Sequence, residues 1–319
     1  MIIGHQKQWK FLKNAAATRR LPHGILFYGE EGIGKKTLAI EFAKFLNCQA
    51  KNSSPKPCQV CRNCLEIQKR SHPDFFLTEP LGENKEIQIS QIRDLIWRLS
   101  LRPHSADFKI AVLDQAHLMN QEAQNCFLKI LEEPKGDVFL FLVTEYPDSL
   151  LPTVLSRLQK IRFSRPSVSE IERYLLSQKI SREKIKELIS FSFGRPGKVI
   201  DFLQDNLKIE NQKKIISDLA KISNSEMARR FQYAKNLFLE KDNNSSNNIK
   251  EILDVWLRYF RNIFLSCINQ NLQKQPESFE KYPLLKIKNI IKTIQSINFL
   301  FLKTNINSRL ALEILLLNI

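Results

Sequence analysis

No stretch of this 319-residue sequence approaches the ~18–20 consecutive apolar residues that cross a bilayer. The amino terminus also lacks the basic, apolar and small-residue succession of a secretory leader. A soluble cytoplasmic protein without membrane association is therefore the expectation. Acidic side chains are short in supply: 33 Asp and Glu stand against 49 Lys and Arg, for a net charge of +16 and a pI near 9.6. That balance suits work beside a polyanion, most simply nucleic acid, although a lysine-rich composition alone would also produce it. No single basic arm concentrates the excess. His5 and His23 have no triad partners nearby, so structural roles are expected for both. At this length two or three domains are expected, and 43% hydrophobic residues are enough to fill their cores.

What is present centres on Gly24–Thr37, GILFYGEEGIGKKT. Ile25–Tyr28 reads as a buried parallel strand, and Leu38, Phe42, Phe45 and Leu46 place one apolar face on the helix that follows. Between them Gly29, Gly34 and Lys35 match G-x-x-x-x-G-K, with Gly32 inside the turn. Such a loop wraps phosphates in backbone N–H groups while its lysine reaches the outer phosphates. One residue of the pattern is missing. The Ser or Thr whose hydroxyl holds Mg²⁺ is replaced by Lys36, and Thr37 comes one position late, rotated by about 100° around the helix. A P-loop fold is predicted, with a nucleotide site of doubtful function.

Four of the six cysteines lie at Cys48, Cys58, Cys61 and Cys64, a C-x9-C-x2-C-x2-C spacing. In a cytosolic protein this favours a tetrahedral thiolate zinc site over disulfides, with free thiols as the alternative. Four sulfurs leave no open position, so any zinc is structural. Cys126 and Cys267 read as small hydrophobes within helices.

Further along, Phe75–Thr78 reads as a short strand and a helix begins near Ile89. Ile110–Leu113 forms a buried strand ending at Asp114, where an α/β sheet places its ligand. Asp114 therefore stands where a Walker B aspartate would hold Mg²⁺. Gln115 follows it, and an amide cannot serve as the general base that a glutamate provides there. A helix over Gln121–Glu133 stops at Pro134, and Val138–Val143 is a strand leading to Thr144, whose hydroxyl could sense a γ-phosphate. Gln159–Phe163 is the last strand. The alternation predicts a parallel, doubly wound sheet.

The string NCFLKILEEPKGDVFLFLVTEYPDSLLPTVLSRLQKIRF, with the P-loop and the cysteines upstream, resembles the clamp-loader AAA+ ATPases of bacterial replication. The resemblance implies an α/β P-loop (AAA+) domain over 1–165 carrying a zinc knuckle insert (48–64). It further implies a small helical lid over 166–207 and an all-α collar domain over 208–319. It departs from the family's motor subunits, tau and gamma, at Lys36, at Gln115 and at Gly197, where those subunits carry a nucleotide-contacting arginine. Arg157, after L-P-T-V-L-S, is retained and is implied to act as an arginine finger on a neighbouring subunit. No carboxylate stands near it in sequence, Asp148 being the closest acid noted. The implied partners are other clamp-loader subunits, a sliding clamp and primed DNA; the implied cofactor is structural Zn²⁺, with ATP and Mg²⁺ doubtful. An active motor ATPase is the alternative. A zinc-dependent DNA-binding protein is a third reading, resting on Lys44, Lys51, Lys56, Arg62, Lys69 and Arg70, but that segment lacks stacking aromatics before Phe75.

In the last third, Ile252, Trp256, Tyr259 and Ile263 make one apolar stripe and Leu253, Leu257, Phe260 and Phe264 another. Such a helix must be covered on two sides. KDNNSSNN, residues 241–248, is expected as a solvated loop.

Overall fold

The computed structural model describes residues 2–50, 55–81, 86–134, 136–239, 245–268, 283–303 and 307–319. Two compact units emerge, Met1–Asp201 and Phe202–Ile319.

In the first unit five strands form one parallel sheet: β1 (Gly24–Tyr28), β2 (Phe75–Thr78), β3 (Lys109–Leu113), β4 (Val138–Thr144) and β5 (Gln159–Arg162). Their order is β2-β3-β4-β1-β5, so β1 and β4 lie at the centre with Tyr28 beside Thr144. Successive side chains on a strand point to opposite faces, and both faces are apolar here. Ile25, Phe27, Ile110, Val112, Phe141 and Val143 face α1 (Gln6–Ala17) and α2 (Lys35–Leu46). Leu26, Ala111, Leu113, Leu140 and Leu142 belong to the cluster that includes α4 (Ile89–Ser100) and α5 (Gln121–Glu132). Near-continuous hydrophobic strands are what such two-sided burial requires. The short α3 (Arg62–Gln68) carries the last cysteine of the cluster, and α6 (Pro152–Leu155) precedes β5. The leading helix α1 starts after His5, which adopts a left-handed conformation, and ends before Thr18.

Three helices follow the sheet: α7 (Val168–Ser177), α8 (Arg182–Ser192) and α9 (Pro196–Gln204). Ser167 and Glu170 form a reciprocal capping box at the start of α7. The first unit reaches Asp201, so most of this expected lid segment is grouped with the sheet.

The second unit consists, among the described residues, of α10 (Asn206–Ser223), α11 (Met227–Leu239), α12 (Ser245–Ile268), α13 (Leu284–Lys303) and α14 (Ser308–Asn318). Its core is built around α12, where Ile252, Leu253, Trp256, Leu257, Phe260 and Ile263 are all buried and Tyr259 and Phe264 are partly so. Both expected stripes are thus covered. Part of the 241–248 loop expectation is corrected: α12 already begins at Ser245, while 241–244 lie outside the described residues. No described helix is long and apolar enough to cross a membrane.

Candidate functional site

The P-loop runs from the end of β1 to the start of α2, and its glycines sit in conformations that side chains resist. Gly29 has φ +146°, and a Cβ there would lie 2.5 Å from the Phe163 carbonyl oxygen. Gly32 and Gly34 also have positive φ, so the loop shape implied by the motif is formed. Lys35 is buried and its Nζ donates to the Gly29 carbonyl at 2.6 Å and to that of Glu30. Burial lowers its pKa, opposed by the carboxylates of Glu145, Asp114, Glu31 and Glu30.

Lys36 makes the decisive departure. Its Nζ lies 2.9 Å from Asp114 Oδ2 and also donates to Glu79 Oε1, while Arg70 NH1 reaches the other oxygen of Glu79 at 2.9 Å. Burial by itself would lower the Lys36 pKa, but the bonds to Glu79 and Asp114 outweigh it and hold it above the ordinary lysine range. The second Asp114 oxygen accepts from the Gln115 N–H at 3.1 Å. Gln115 itself has φ 52° and starts a single 3-10 turn, Ala116–Leu118. Thr37 is exposed on the outside of α2. Thr144, at the end of β4, is 1% exposed; its hydroxyl is 3.1 Å from His117 Nδ1 and accepts from the Tyr146 N–H at 3.0 Å.

The segment around Gly197 closes over the loop. The Gly197 N–H donates to the Gly32 carbonyl at 2.7 Å. A Cβ on Gly197 would lie 2.8 Å from that oxygen and 3.1 Å from Gly32 Cα. An arginine at this position is therefore excluded with the loop where it is. From the other side His5 Nε2, as the N–H tautomer, donates to the Ile33 carbonyl at 2.6 Å. Arg165 clamps Glu30 with two bonds of 2.8 and 3.2 Å. His23 Nε2 likewise bonds the Leu131 carbonyl at 2.9 Å, so both early histidines are structural.

The sulfurs of Cys48, Cys58, Cys61 and Cys64 all lie within 4.8 Å of one another, and none of the four is in a disulfide. The Cys58 N–H points at Cys48 Sγ (3.4 Å) and the Cys61 N–H at Cys58 Sγ (3.3 Å), bonds that favour thiolate over thiol. N–H groups of Val60 and Cys61 bring the Cys58 pKa down to about 6, whereas burial raises that of Cys64. Donor set and spacing both fit a tetrahedral metal ion. A buried polar network docks the cluster on α2: Lys44 Nζ, 1% exposed, donates to Glu41 (2.8 Å), Gln59 (3.0 Å) and Gln68.

Arg157 is exposed, but it is not without a partner. Its NH2 lies 2.8 Å from Glu132 Oε1 and its NH1 donates to the Thr153 carbonyl at 2.9 Å. That carboxylate is not a sequence neighbour: Glu132 is 25 positions away, and the end of α5 delivers it. Glu79, Glu132, His5 and Arg165 were not singled out as site residues from the sequence. Their partners are distant in the chain, and no local pattern marks them.

A family model described as "DNA polymerase III, delta subunit" matches residues 4–167, just over half of the chain. The chain belongs to that family. It is 32% identical over 208 residues to DNA polymerase III subunit delta' of Bacillus subtilis (strain 168), covering 65% of this chain and 61% of that protein. It is 35% identical over 176 residues to subunit delta' of Pseudomonas aeruginosa, covering 54% and 53%. Similarity extends to the gamma/tau subunit of Mycoplasma pneumoniae, 30% over 234 residues, covering 72% of this chain and 33% of that one. The matches thus span about half to three-fifths of the delta' relatives' own length.

Proposed function

We propose that this chain is a delta'-like subunit of a bacterial DNA polymerase III clamp loader, one that does not hydrolyse ATP and lends an arginine to a neighbouring site. The observation that carries this is the ion pair between Lys36 and Asp114. A working site needs the Asp114 carboxylate for Mg²⁺ and a hydroxyl at position 36, and here a lysine both replaces the hydroxyl and engages the carboxylate. Gln115 supplies no general base. The nucleotide-contacting arginine of the motor subunits has no counterpart at Gly197. Gly29, Gly32, Gly34 and Lys35 could still cradle phosphates, whereas the residues present do not fit Mg²⁺. A motor ATPase would need these three positions restored.

In this reading the chemistry is directed outward. Arg157 would reach the ATP site of an adjacent tau or gamma subunit, where a guanidinium stabilises charge developing on the γ-phosphate, an effect of about 10³–10⁵ in rate. It must first leave Glu132, and an exposed ion pair holds it by only about 0–1 kcal/mol. The four cysteines would bind one structural zinc. Residues 166–207 would serve as the lid and 208–319 as the collar that joins tau, gamma and delta subunits. On α14, Leu310, Ile314 and Leu317 are each about half exposed at helical spacing, and they suit such a contact. The sliding clamp and primed DNA are the complex's further partners, in the cytoplasm. The test is ATP turnover by the isolated chain: none above background is expected. Sustained turnover that disappears in Lys35→Ala contradicts the reading.

A further inference from the structure

The ion cluster around Lys36 does more than mark a lost motif. We infer that the Lys36 ammonium is a built-in substitute for the divalent cation of the P-loop, and that it is what keeps a metal ion off Asp114. This rests on the site being a non-hydrolysing P-loop.

Three observations support it. The first is position: Lys36 occupies the sequence place of the metal-holding hydroxyl, yet its Nζ lies 2.9 Å from Asp114 Oδ2. The ammonium thus lies against the carboxylate expected to hold the metal. The second is charge. Asp114 and Glu79 supply two negative charges, Lys36 and Arg70 two positive ones, and the bonds link all four in one chain. A divalent cation entering this cluster meets a fixed positive charge at close range and finds its carboxylates already paired. The third is commitment of the donor. The acidic partners hold the Lys36 pKa above the ordinary lysine value, so the ammonium does not yield its proton to admit a metal near neutral pH. Hard divalent ions need several oxygen ligands, and removing the ammonium would expose oxygens of Asp114 and Glu79 beside any hydroxyl placed at position 36. The metal site is latent, and one side chain masks it.

The probe is Mn²⁺, titrated into the full-length, zinc-loaded chain and read by electron paramagnetic resonance of the free ion. Five proteins are compared: wild type, Asp114→Asn, Lys36→Thr, the double variant and Lys36→Arg. Wild type and Asp114→Asn should retain Mn²⁺ equally. Lys36→Thr should gain about one further Mn²⁺ per chain, lost again in the double variant. Lys36→Arg, which keeps a cation there, should behave as wild type. If wild type holds Mn²⁺ that Asp114→Asn loses, the ammonium does not exclude metal and the inference is overturned; this comparison stands even if Lys36→Thr fails to fold. A folded Lys36→Thr that gains no Mn²⁺ overturns it too. Either outcome is distinct from failure of the functional reading, which would show as ATP turnover by the wild-type chain.

Discussion

At Gly197 a missing side chain lets the start of α9 sit directly on the P-loop. Alanine is the better helix former by about 1 kcal/mol, so on propensity alone Gly197→Ala would stabilise the protein. Its Cβ would instead meet the Gly32 carbonyl at 2.8 Å, and backbone on both sides has little room to yield. Denaturant unfolding is expected to show a net loss of about 1–3 kcal/mol; a gain would mean that loop and helix separate easily. His5 guards the other side of the loop. Burial lowers its pKa, more than the bond to Ile33 and the charge of Glu170 raise it. The unfolded chain therefore binds the proton more readily, and stability must fall as pH drops below about 6.5. His72, buried as well, acts in the same direction, so the histidines are separated by comparison. Gln at position 5 keeps an N–H for Ile33 but does not titrate. The drop in melting temperature between about pH 7.5 and about pH 5.5 should be smaller in His5→Gln than in wild type. An equal drop would mean that His5 does not contribute.

Among the elements, the four-cysteine segment is the one whose order, with the metal we propose for it, would depend on something other than an apolar core. α3 has seven residues, and Cys61 precedes it while Cys64 lies within it. Zinc loss or Cys61→Ser should open α3 and leave Lys44 buried on α2 without two of its three partners. Amides bonded within α3, such as that of Lys69, should then exchange at least about tenfold faster, while those of β1 and β4 keep their protection. Protein purified without chelator should carry about one zinc per chain with sulfurs at about 2.3 Å; its absence by elemental analysis would end the assignment. The sequence made this level of organisation largely readable. All five strands were bounded to within a residue, because a sheet covered on both faces needs unbroken apolar runs and breakers mark their ends. The cysteine spacing was equally plain. Pairings between distant segments were hidden: Lys36 and Glu79 are 43 positions apart, and only the placement of β2 beside β3 brings Glu79 next to Asp114. Glu132 was missed for the same reason. The start of α12 was missed because serine and asparagine look like loop residues even when they open a helix.

On the scale of the whole molecule, the chain combines a P-loop whose Lys36 is paired with Asp114 and Glu79 with an exposed arginine at the edge of its sheet domain. The catalytic contribution we propose for this chain lies in that arginine and serves another subunit. Substituting an exposed charge should cost little stability, so Arg157→Ala is expected to fold and to assemble with tau or gamma and delta subunits as wild type does. Arg157→Lys should restore function only in part, since an ammonium lacks the planar fork of a guanidinium. The most direct measurement is DNA- and clamp-stimulated ATP hydrolysis by the reconstituted loader containing either wild-type chain or Arg157→Ala. The Arg157→Ala complex should assemble with a stimulated rate lower by at least about tenfold, given how much a trans-acting arginine contributes in related phosphoryl transfers. An assembled complex that hydrolyses ATP at the unmutated rate would contradict it.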